Sequence, residues 1–450
     1  MELINSIIGF IIAIGILVTF HEYGHFIIAR LCNVKVLKFS VGFGKTIFKY
    51  QASNKTTEYS LCAIPLGGYV QMLESKNQEG EKNQINEDDY QYCFDRKNVY
   101  QRFAIVAAGP VFNLILAIIF FTMTYMNGIG GIKPTIKLQD SDDYYKIVAV
   151  NDKQVERWQD VRIEILNHVM NNNQILLSLS NSLDAVKYYK LNYNSTVLNK
   201  EGDIIKNIGL DIIYPNRDAI IGSVNIHSNN KNIMVGDKIL YMNDTLINSW
   251  DELVSFIHSS PDRSINITAE RGDDTIIYPI TILNKNGKGF LGVSHKVDTS
   301  SYVNVSYSFT DSISKAITST TDYTLLTFKM IGRLVMGEAN VKNLSGPLSI
   351  AQFSGKSLEM GLSYFLYLLA ILSVSLGVLN LLPIPMLDGG HLVYYSYEII
   401  TGRELPMNIQ LVAQFAGIAI LGLIMIIAFY NDFIRIFSWI SSDLIYFYLF

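Results

Sequence analysis

Four long apolar stretches stand out along the chain. They cover residues 4–29, 103–126, 361–383 and 408–430, and about 20 apolar residues suffice for a helix to cross a bilayer. The first stretch also lacks the polar face that a surface helix of a soluble protein needs. The pattern therefore predicts four transmembrane helices.

The segment between the second and third stretches is more polar and contains an internal repeat. The run Lys146–Asp152 matches the run Lys238–Asp244, and the same spacing separates Trp158 from Trp250. Each copy reads as an apolar strand, an Asn-Asp turn, a short strand and a helix that begins near the tryptophan. Two copies of one small α+β domain are the simplest account of this repeat.

Three further segments have patterns of their own. Residues 36–72 alternate between polar and apolar positions as β-strands do. Residues 307–336 read as a partly amphipathic helix that lies along the membrane surface. Residues 433–450 are rich in aromatic side chains and are expected to form an interfacial tail rather than a fifth span.

Basic residues indicate how the spans are oriented. Nine of them lie in the loop between the first two spans: Arg30, Lys35, Lys38, Lys45, Lys49, Lys55, Arg96, Lys97 and Arg102. The positive-inside rule places this loop in the cytoplasm. Both termini and residues 128–360 then lie outside, and the short connection that carries Arg403 lies inside.

These patterns predict a polytopic α-helical membrane protein with four transmembrane helices, a cytoplasmic membrane-associated β-loop and two outer α+β domains. The expected segments are the first span (1–30), the β-loop region (31–101), the second span (102–127), the two α+β domains (128–215 and 216–297), an amphipathic-helix region (298–360), the third span with the following turn (361–390), a cytoplasmic connection (391–407), the fourth span (408–430) and the tail (431–450).

Composition narrows the class of protein. Apolar residues make up 49% of the chain and charged residues 17%, which fits membrane spans combined with folded aqueous parts. The net charge is −4 and there is no basic stripe, so nucleic acid is not an expected partner. The cysteines Cys32, Cys62 and Cys93 are widely spaced, and no disulfide, zinc knuckle or redox pair is expected.

The candidate chemistry begins with His-Glu-Tyr-Gly-His at residues 21–25, inside the first apolar stretch. His21 and His25 lie one helical turn apart on one face, where both imidazoles can bind one Zn²⁺, and Glu22 beside them can act as a general base. Ionisable side chains at membrane depth are costly and mark functional sites by default. The motif therefore predicts a membrane-embedded metal site.

The order of motifs resembles the site-2 protease family of intramembrane zinc metalloproteases, and within it the bacterial regulator-of-sigma-E type with tandem PDZ domains. The resemblance spans nearly the whole chain. The matching segments are residues 21–25, Gly42-Phe43-Gly44, residues 63–70, Gln101-Arg102-Phe103, Gly109-Pro110-Val111-Phe112-Asn113, Leu344-Ser345-Gly346-Pro347 and residues 380–391, which read NLLPIPMLDGGH. The resemblance implies that the repeat forms two periplasmic PDZ-like domains.

The same resemblance assigns the third zinc ligand to Asp388. A catalytic zinc needs three protein ligands and one open position, and the first span supplies only two. Pro383 and Pro385 cannot continue a helix, so the third span should break there and let Asp388 turn back toward the metal. His391 is a rival ligand just beyond the turn, and an ordinary turn at the end of a span is the structural alternative.

The resemblance implies a zinc-dependent intramembrane endopeptidase with one Zn²⁺, in which Glu22 is the catalytic base. A helical substrate must unwind before hydrolysis, and an extended strand needs backbone partners, which the cytoplasmic strands can supply. Asn380 is the polar group in the third span best placed to hold an unwound backbone, or else forms an interhelical hydrogen bond. The remaining candidate substrate-binding residues are Pro383, Gly42, Gly44, Gly67, Gly68 and Tyr69.

The expected partners follow from the same resemblance. They are the lipid bilayer and a single-span membrane protein substrate of the anti-sigma-factor type, with signal-peptide remnants as a second possibility. The protein is expected in the bacterial inner membrane as a monomer, with both termini and the PDZ-like domains in the periplasm. Two other functions are alternatives: a non-catalytic PDZ scaffold, which has no need of a general base, and a metal transporter, which needs more polar residues along the spans.

Overall fold

The computed structural model describes residues 2–53, 56–75, 86–137, 144–181, 185–194, 197–198, 200, 203–210, 218–224, 232–285, 287–296 and 301–441. The chain forms two compact units. The first contains the described residues of 1–129, 198–202 and 305–441, and the second contains those of 130–197 and 203–304.

The first unit is mostly helical. Its elements are α1 (Glu2–Leu31), β1 (Val36–Tyr50), β2 (Glu58–Met72), α2 (Val99–Asn127), α6 (Phe309–Val335), α7 (Pro347–Met360), α8 (Leu362–Leu381), α9 (Asp388–Thr401) and α10 (Met407–Ser441), with short 3₁₀ turns at Glu87–Tyr92, Phe94–Arg96 and Val341–Asn343. Among the described residues, α1, α2, α8 and α10 are the helices long and apolar enough to cross a membrane. The four predicted spans are therefore present.

Helix α2 lies at the centre of the apolar core of this unit. Leu17 of α1, Phe121 of α2 and Val374 of α8 belong to one buried cluster. Small residues let α1 and α7 approach closely, because a Cβ on Gly9 would lie 2.8 Å from the backbone of Ser354. The core thus places the motif-bearing part of α1 against α2.

The third span ends just before Pro383 and Pro385, as the sequence predicts. Helix α8 stops at Leu381, and α9 begins at Asp388 after the segment that carries Pro383 and Pro385. Met386, within this break, adopts a left-handed conformation with φ 92°. The break therefore turns the chain just before Asp388, as the sequence predicts.

The strands β1 and β2 form the predicted β-loop, and both bend back on themselves. Residues 36–41 pair with residues 68–72 on one side, and residues 38–41 pair with residues 58–61 on the other. Residues 46–50 pair with residues 59–62. The bends coincide with positive φ angles at Gly42, Gly44 and Gly67, which side chains other than glycine rarely adopt. The segment 68–72 lies at one outer edge of this pairing.

The second unit is built mainly from β-strands. Its elements are β3 (Ile129–Ile132), whose first residue belongs to the first unit, β4 (Thr135–Lys137), β5 (Tyr144–Val150), β6 (Lys153–Gln154), α3 (Trp158–Met170), β7 (Ile175–Ser180), β8 (Val186–Leu191), α4 (Ile204–Asn207), β9 (Ile221–Val224), β10 (Lys238–Met242), β11 (Thr245–Leu246), α5 (Trp250–His258), β12 (Ser264–Arg271), β13 (Asp274–Thr281), β14 (Leu283–Lys285), β15 (Lys288–Phe290), β16 (Val293–His295) and β17 (Tyr302–Val305), whose last residue belongs to the first unit.

The internal repeat is visible in this unit. Both copies have the order strand, short strand, helix, strand, strand, as β5–β6–α3–β7–β8 and β10–β11–α5–β12–β13. Asn151 and Asn243 turn the chain with φ of 50° and 52°. Each side-chain oxygen accepts a backbone hydrogen bond, from Leu176 and from Asn266 respectively. The Asn-Asp turns and the helices at Trp158 and Trp250 therefore lie where the sequence predicted them.

The structure differs from the sequence-based segments in three places. Helix α9 (Asp388–Thr401) occupies most of the segment 391–407, for which the sequence predicts only a connection. Helix α10 continues to Ser441, past the expected end at residue 430, so the first part of the predicted tail extends the fourth span. Residues 442–450 lie outside the described part of the chain. Helix α7 was not predicted, because Ser349, Ser354 and Gly355 interrupt its apolar pattern.

Candidate metal centre

His21 and His25 meet on one buried face of α1. Their Nε2 atoms lie 3.3 Å apart, and their rings are 4.9 Å apart between centroids. Both residues are buried, with 9% of each exposed. Spacing of one helical turn brings the two Nε2 atoms to one point, as the motif requires.

Helix α2 closes this face from the opposite side. A Cβ on Gly109 would overlap the imidazoles of both His25 and His21, so only glycine leaves room for the rings. Ile105 accepts a hydrogen bond from His25 Nδ1 at 2.9 Å, because a carbonyl oxygen can only accept. Asn113 places its carboxamide nitrogen 3.1 Å from His21 Nδ1. Helix α2 thus shapes the site and contacts both rings.

The break between α8 and α9 brings Asp388 to the paired imidazoles. Its Oδ2 atom lies 3.1 Å from His21 Nε2 and 3.4 Å from His25 Nε2. The glycines that follow allow the tight turn, since a Cβ on Gly389 would overlap the backbone of Leu381 and Leu382. The break that contains Pro383 and Pro385 therefore places Asp388 at the site.

The three side chains fit a divalent metal. Among the described residues, His21, His25 and Asp388 form the one group of three or more His, Cys, Asp or Glu side chains whose potential ligand atoms all lie within 4.8 Å of one another. Asp388 Oδ2 is buried and has no partner with hydrogen-bond geometry in the described part of the chain. Two imidazoles and one carboxylate are a donor set that zinc accepts in catalytic sites, with one position left open.

His391, the rival ligand, is not part of this group. Its ring packs edge-on against Tyr394, with the ring centroids 5.8 Å apart. Within the described chain, the geometry therefore brings Asp388 rather than His391 to the histidine pair.

Glu22 lies beside the three candidate ligands and is also buried, with 9% of the residue exposed. Strand β2 of the β-loop approaches this side chain. A Cβ on Gly68 would lie 2.8 Å from Glu22 Cγ and 3.2 Å from a methyl group of Val18. The outer segment 68–72 of the β-loop is therefore in contact with the candidate base.

The other candidate substrate-binding residues lie either in the β-loop or next to the break after α8. Tyr69 follows Gly68 in β2 and stacks on Phe43, with ring centroids 6.2 Å apart. The glycines 42, 44 and 67 form the bends of the β-loop. Asn380 lies half-buried in the last turn of α8, and Pro383 is exposed in the break. Only Gly68 touches Glu22 among the contacts described.

Sequence reasoning did not single out the residues that α2 contributes. Gly109 and Asn113 were seen only as parts of a family motif. A signal was present for Asn113, because an amide within an apolar span needs a polar partner. That this partner is His21 follows only from the packing of α1 against α2.

Comparison with known proteins places this metal-binding, membrane-spanning architecture among the peptidases. The model of peptidase family M50 matches residues 9–424, so the chain belongs to that family. The chain is 33% identical to a regulator of sigma E protease from Haemophilus influenzae and 31% identical to the regulator of sigma-E protease RseP from Salmonella typhimurium. Each alignment covers 97% of this chain and 100% of the relative.

The chain is also similar to another protein and to a solved domain. A protein from Pasteurella multocida whose name describes a zinc metalloprotease is 34% identical, over 97% of this chain and 100% of the relative. The solved PDZ domain of an SdrC-like protein from Listeria monocytogenes matches 19% of this chain and 93% of its own, at 19% identity and a TM-score of 0.17. The predicted family and the predicted enzyme class are confirmed: the chain is a zinc-dependent protease.

Proposed function

We propose that this protease hydrolyses peptide bonds within the membrane-spanning segments of single-span membrane proteins. The observation that carries the proposal is the convergence of His21, His25 and Asp388 beside the buried Glu22, inside an apolar helix long enough to span a bilayer. Ionisable groups are too costly at that depth to be retained without a function. A site within the hydrocarbon region is accessible to substrates that are themselves in the membrane.

In this proposal His21 and His25 hold one Zn²⁺ through Nε2, and Asp388 holds it through its carboxylate. When bound, Zn²⁺ supplies a Lewis acid that polarises a peptide carbonyl and acidifies a water. The protein holds the three ligand side chains in fixed orientations. Helix α2 keeps both imidazoles in place from behind, through Gly109 and Ile105.

Glu22 serves as the general base and then as the general acid. Its carboxylate accepts a proton from the attacking water and returns it to the nitrogen of the leaving amine. Its position next to His21 in the chain keeps it beside the ligands, and its burial limits competing water. These roles require a carboxylate and not merely a polar side chain of the same size.

The β-loop is proposed to bind the substrate in an extended form. A transmembrane helix hides its peptide bonds in its own hydrogen bonds, so the substrate must unwind, and the freed backbone groups need new partners. The segment 68–72 offers such partners at the edge of the β-loop, and Gly68 touches Glu22. Tyr69, Asn380 and Pro383 are proposed to contact the unwound segment next to the break.

The substrate and the topology are proposed from the relatives. Their names, as regulators of sigma E, support a substrate of the anti-sigma-factor type. Signal-peptide remnants are a second proposed class of substrate. We further propose that the protein is a monomer in the inner membrane, with its β-loop in the cytoplasm and the repeats, as PDZ-like domains, in the periplasm. There the repeats exclude substrates with bulky outer domains.

Deleting residues 130–295 should broaden substrate choice while cleavage persists, and unchanged selectivity would count against this filter.

The test uses full-length protein in liposomes with a single-span substrate. Glu22→Gln should retain zinc and lose cleavage, whereas Gly15→Ala should behave as wild type, since a Cβ on Gly15 meets nothing within 4 Å. Cleavage by Glu22→Gln would refute the assignment of the base. Cleavage by wild type only outside the span of the substrate would refute the intramembrane site.

A further inference from the structure

The two imidazoles of the site differ in how their outer nitrogens are held. A neutral imidazole carries one N–H, so a ring that ligates through Nε2 must carry its proton on Nδ1. His25 meets this requirement, because its Nδ1 donates to the carbonyl of Ile105 at 2.9 Å. His21 also faces the site with Nε2, which lies 3.1 Å from Asp388 Oδ2. His21 therefore needs an acceptor for Nδ1–H.

Asn113 is the group that contacts this nitrogen. Its carboxamide lies 3.1 Å from His21 Nδ1, and the residue is fully buried in α2. Its backbone is fixed, because Ser373 of α8 donates a hydrogen bond to the Asn113 carbonyl at 2.7 Å. A Cβ on Gly377 would lie 3.3 Å from Asn113 Cβ, so α8 also packs closely against the side chain.

A carboxamide can present either its oxygen or its nitrogen to a neighbour, and the hydrogen-bond network decides between them. With Nδ2 toward His21, the imidazole must accept at Nδ1 and carry its proton on Nε2, where it cannot ligate. In that orientation Asn113 Oδ1 is buried without a hydrogen-bond partner in the described part of the chain. Within the described residues no other hydrogen bond holds the amide in that orientation, so His21 decides the choice.

We propose that Asn113 turns its carboxamide oxygen to His21 Nδ1 and so fixes the tautomer that leaves Nε2 free for the metal. Asn113 is a positioning residue in this account, because it touches a ligand and neither the metal nor the substrate. The proposal rests on the proposed zinc site and extends it to the second helix. Groups that orient metal-bound histidines in this way typically change metal affinity by about 10- to 100-fold.

The experiment measures zinc affinity by competition with a chelator, using full-length protein in detergent and no substrate. Asn113→Leu keeps the approximate size and removes the acceptor, so its affinity should fall by about 10- to 100-fold. Asn113→Asp keeps an acceptor and should bind zinc at least as tightly as wild type. Thr124→Val is the matched control: it removes a buried hydroxyl from the same helix, where Thr124 donates to Phe120, and should leave affinity unchanged.

Rescue by Asn113→Asp separates the orientation of the His21 ring from packing, because Asn113→Leu and Asn113→Asp replace the same buried amide. Asn113→Ala takes the place of the leucine variant if the latter does not fold. Wild-type affinity in the leucine or alanine variant would overturn the proposal, and so would an equal loss in the aspartate variant. A wild type that binds zinc but cleaves no membrane substrate would refute the proposed function instead, because affinity is measured without substrate.

Discussion

Two carboxylates in the membrane-spanning unit are placed in opposite ways. Asp432 of α10 is fully buried and accepts four hydrogen bonds: from the backbone N–H groups of Gly346, Leu348 and Ser349 and from the Ser349 hydroxyl. Asp388 directs Oδ2 at two imidazole nitrogens without hydrogen-bond geometry. The first carboxylate has its hydrogen-bonding needs met by the protein, and the second does not.

The difference shows how a structural carboxylate is told from a ligand. Asp432 caps the start of α7, where a helix has unpaired N–H groups and favours negative charge. Its neighbour Asn431 donates to the carbonyls of Val341 and Leu344, which fixes the preceding turn. In the described part of the chain, Asp388 Oδ2 has no such set of donors. Burying a carboxylate oxygen without donors is costly, and a bound cation or a proton offsets that cost.

The largest effect is expected from Asp388→Asn. A neutral amide is a poor zinc ligand, so the variant should lose its zinc, and cleavage should fall by more than about a thousandfold. With zinc removed from both proteins the folded state should not be weakened, because Asp388 Oδ2 makes no hydrogen bond in the described chain. Metal analysis, a cleavage assay and a thermal unfolding curve measure the three quantities. A zinc-free wild type with full activity would overturn the comparison.

A methyl group at Gly109 should disturb the same site from the side of α2. In Gly109→Ala the new Cβ overlaps both imidazoles, so zinc affinity should fall by at least roughly 10- to 100-fold. Gly15→Ala is the control, since its Cβ meets nothing within 4 Å. Chelator competition reports the difference. Equal affinities in the two variants would show that the imidazoles do not depend on the close approach of α2.

Asp432→Ala should lower the stability of the fold and leave zinc binding intact. It leaves three backbone N–H groups without their acceptor, so unfolding should be easier by about 3 kcal/mol. Zinc affinity should be unchanged. The exposed Glu359, which accepts from Asn5 at 2.7 Å, is the control, and Glu359→Ala should change stability by less than about 1 kcal/mol. Loss of zinc from Asp432→Ala would break the distinction between the two carboxylates.

The smallest effect is expected from pH in the second repeat copy. Burial raises the pKa of Asp237, but hydrogen bonds from Arg271, Tyr278 and the Met234 N–H outweigh burial and bring it below its ordinary value. Stability from this group is therefore present above the ordinary pKa of aspartate and lost as pH falls through the folded value.

Hydrogen exchange of β10, β12 and β13 in the full chain should accelerate at acid pH, once intrinsic rates are corrected. In Asp237→Asn this pH dependence should be flatter. The first copy has Tyr145 at the equivalent position and serves as an internal reference. Equal acid dependence in wild type and Asp237→Asn would contradict the assignment.

The sequence predicted the parts that depend on local pattern. The spans follow from apolar length, the break after α8 from Pro383 and Pro385, and the repeat from matched Asn-Asp turns. The His21 and His25 pair needs only helical spacing. Each of these signals is read from short stretches of chain, without knowledge of how the helices pack.

What sequence reasoning missed depends on contacts between distant segments. Asp432 caps a helix that begins at Pro347, and Asn113 meets His21 across two spans. Helix α7 has no regular apolar pattern, since small and polar residues face its neighbours. No periodicity encodes such pairs. They become visible only when the helices are packed.

The most direct test of the zinc assignment is an X-ray absorption spectrum at the zinc edge of the purified full-length protein. The account predicts one zinc per chain with only nitrogen and oxygen neighbours, including imidazole nitrogens at about 2.0–2.1 Å. The three ligands His21, His25 and Asp388 offer no sulfur. Sulfur neighbours at about 2.3 Å, or a spectrum unaltered by Asp388→Asn, would contradict it.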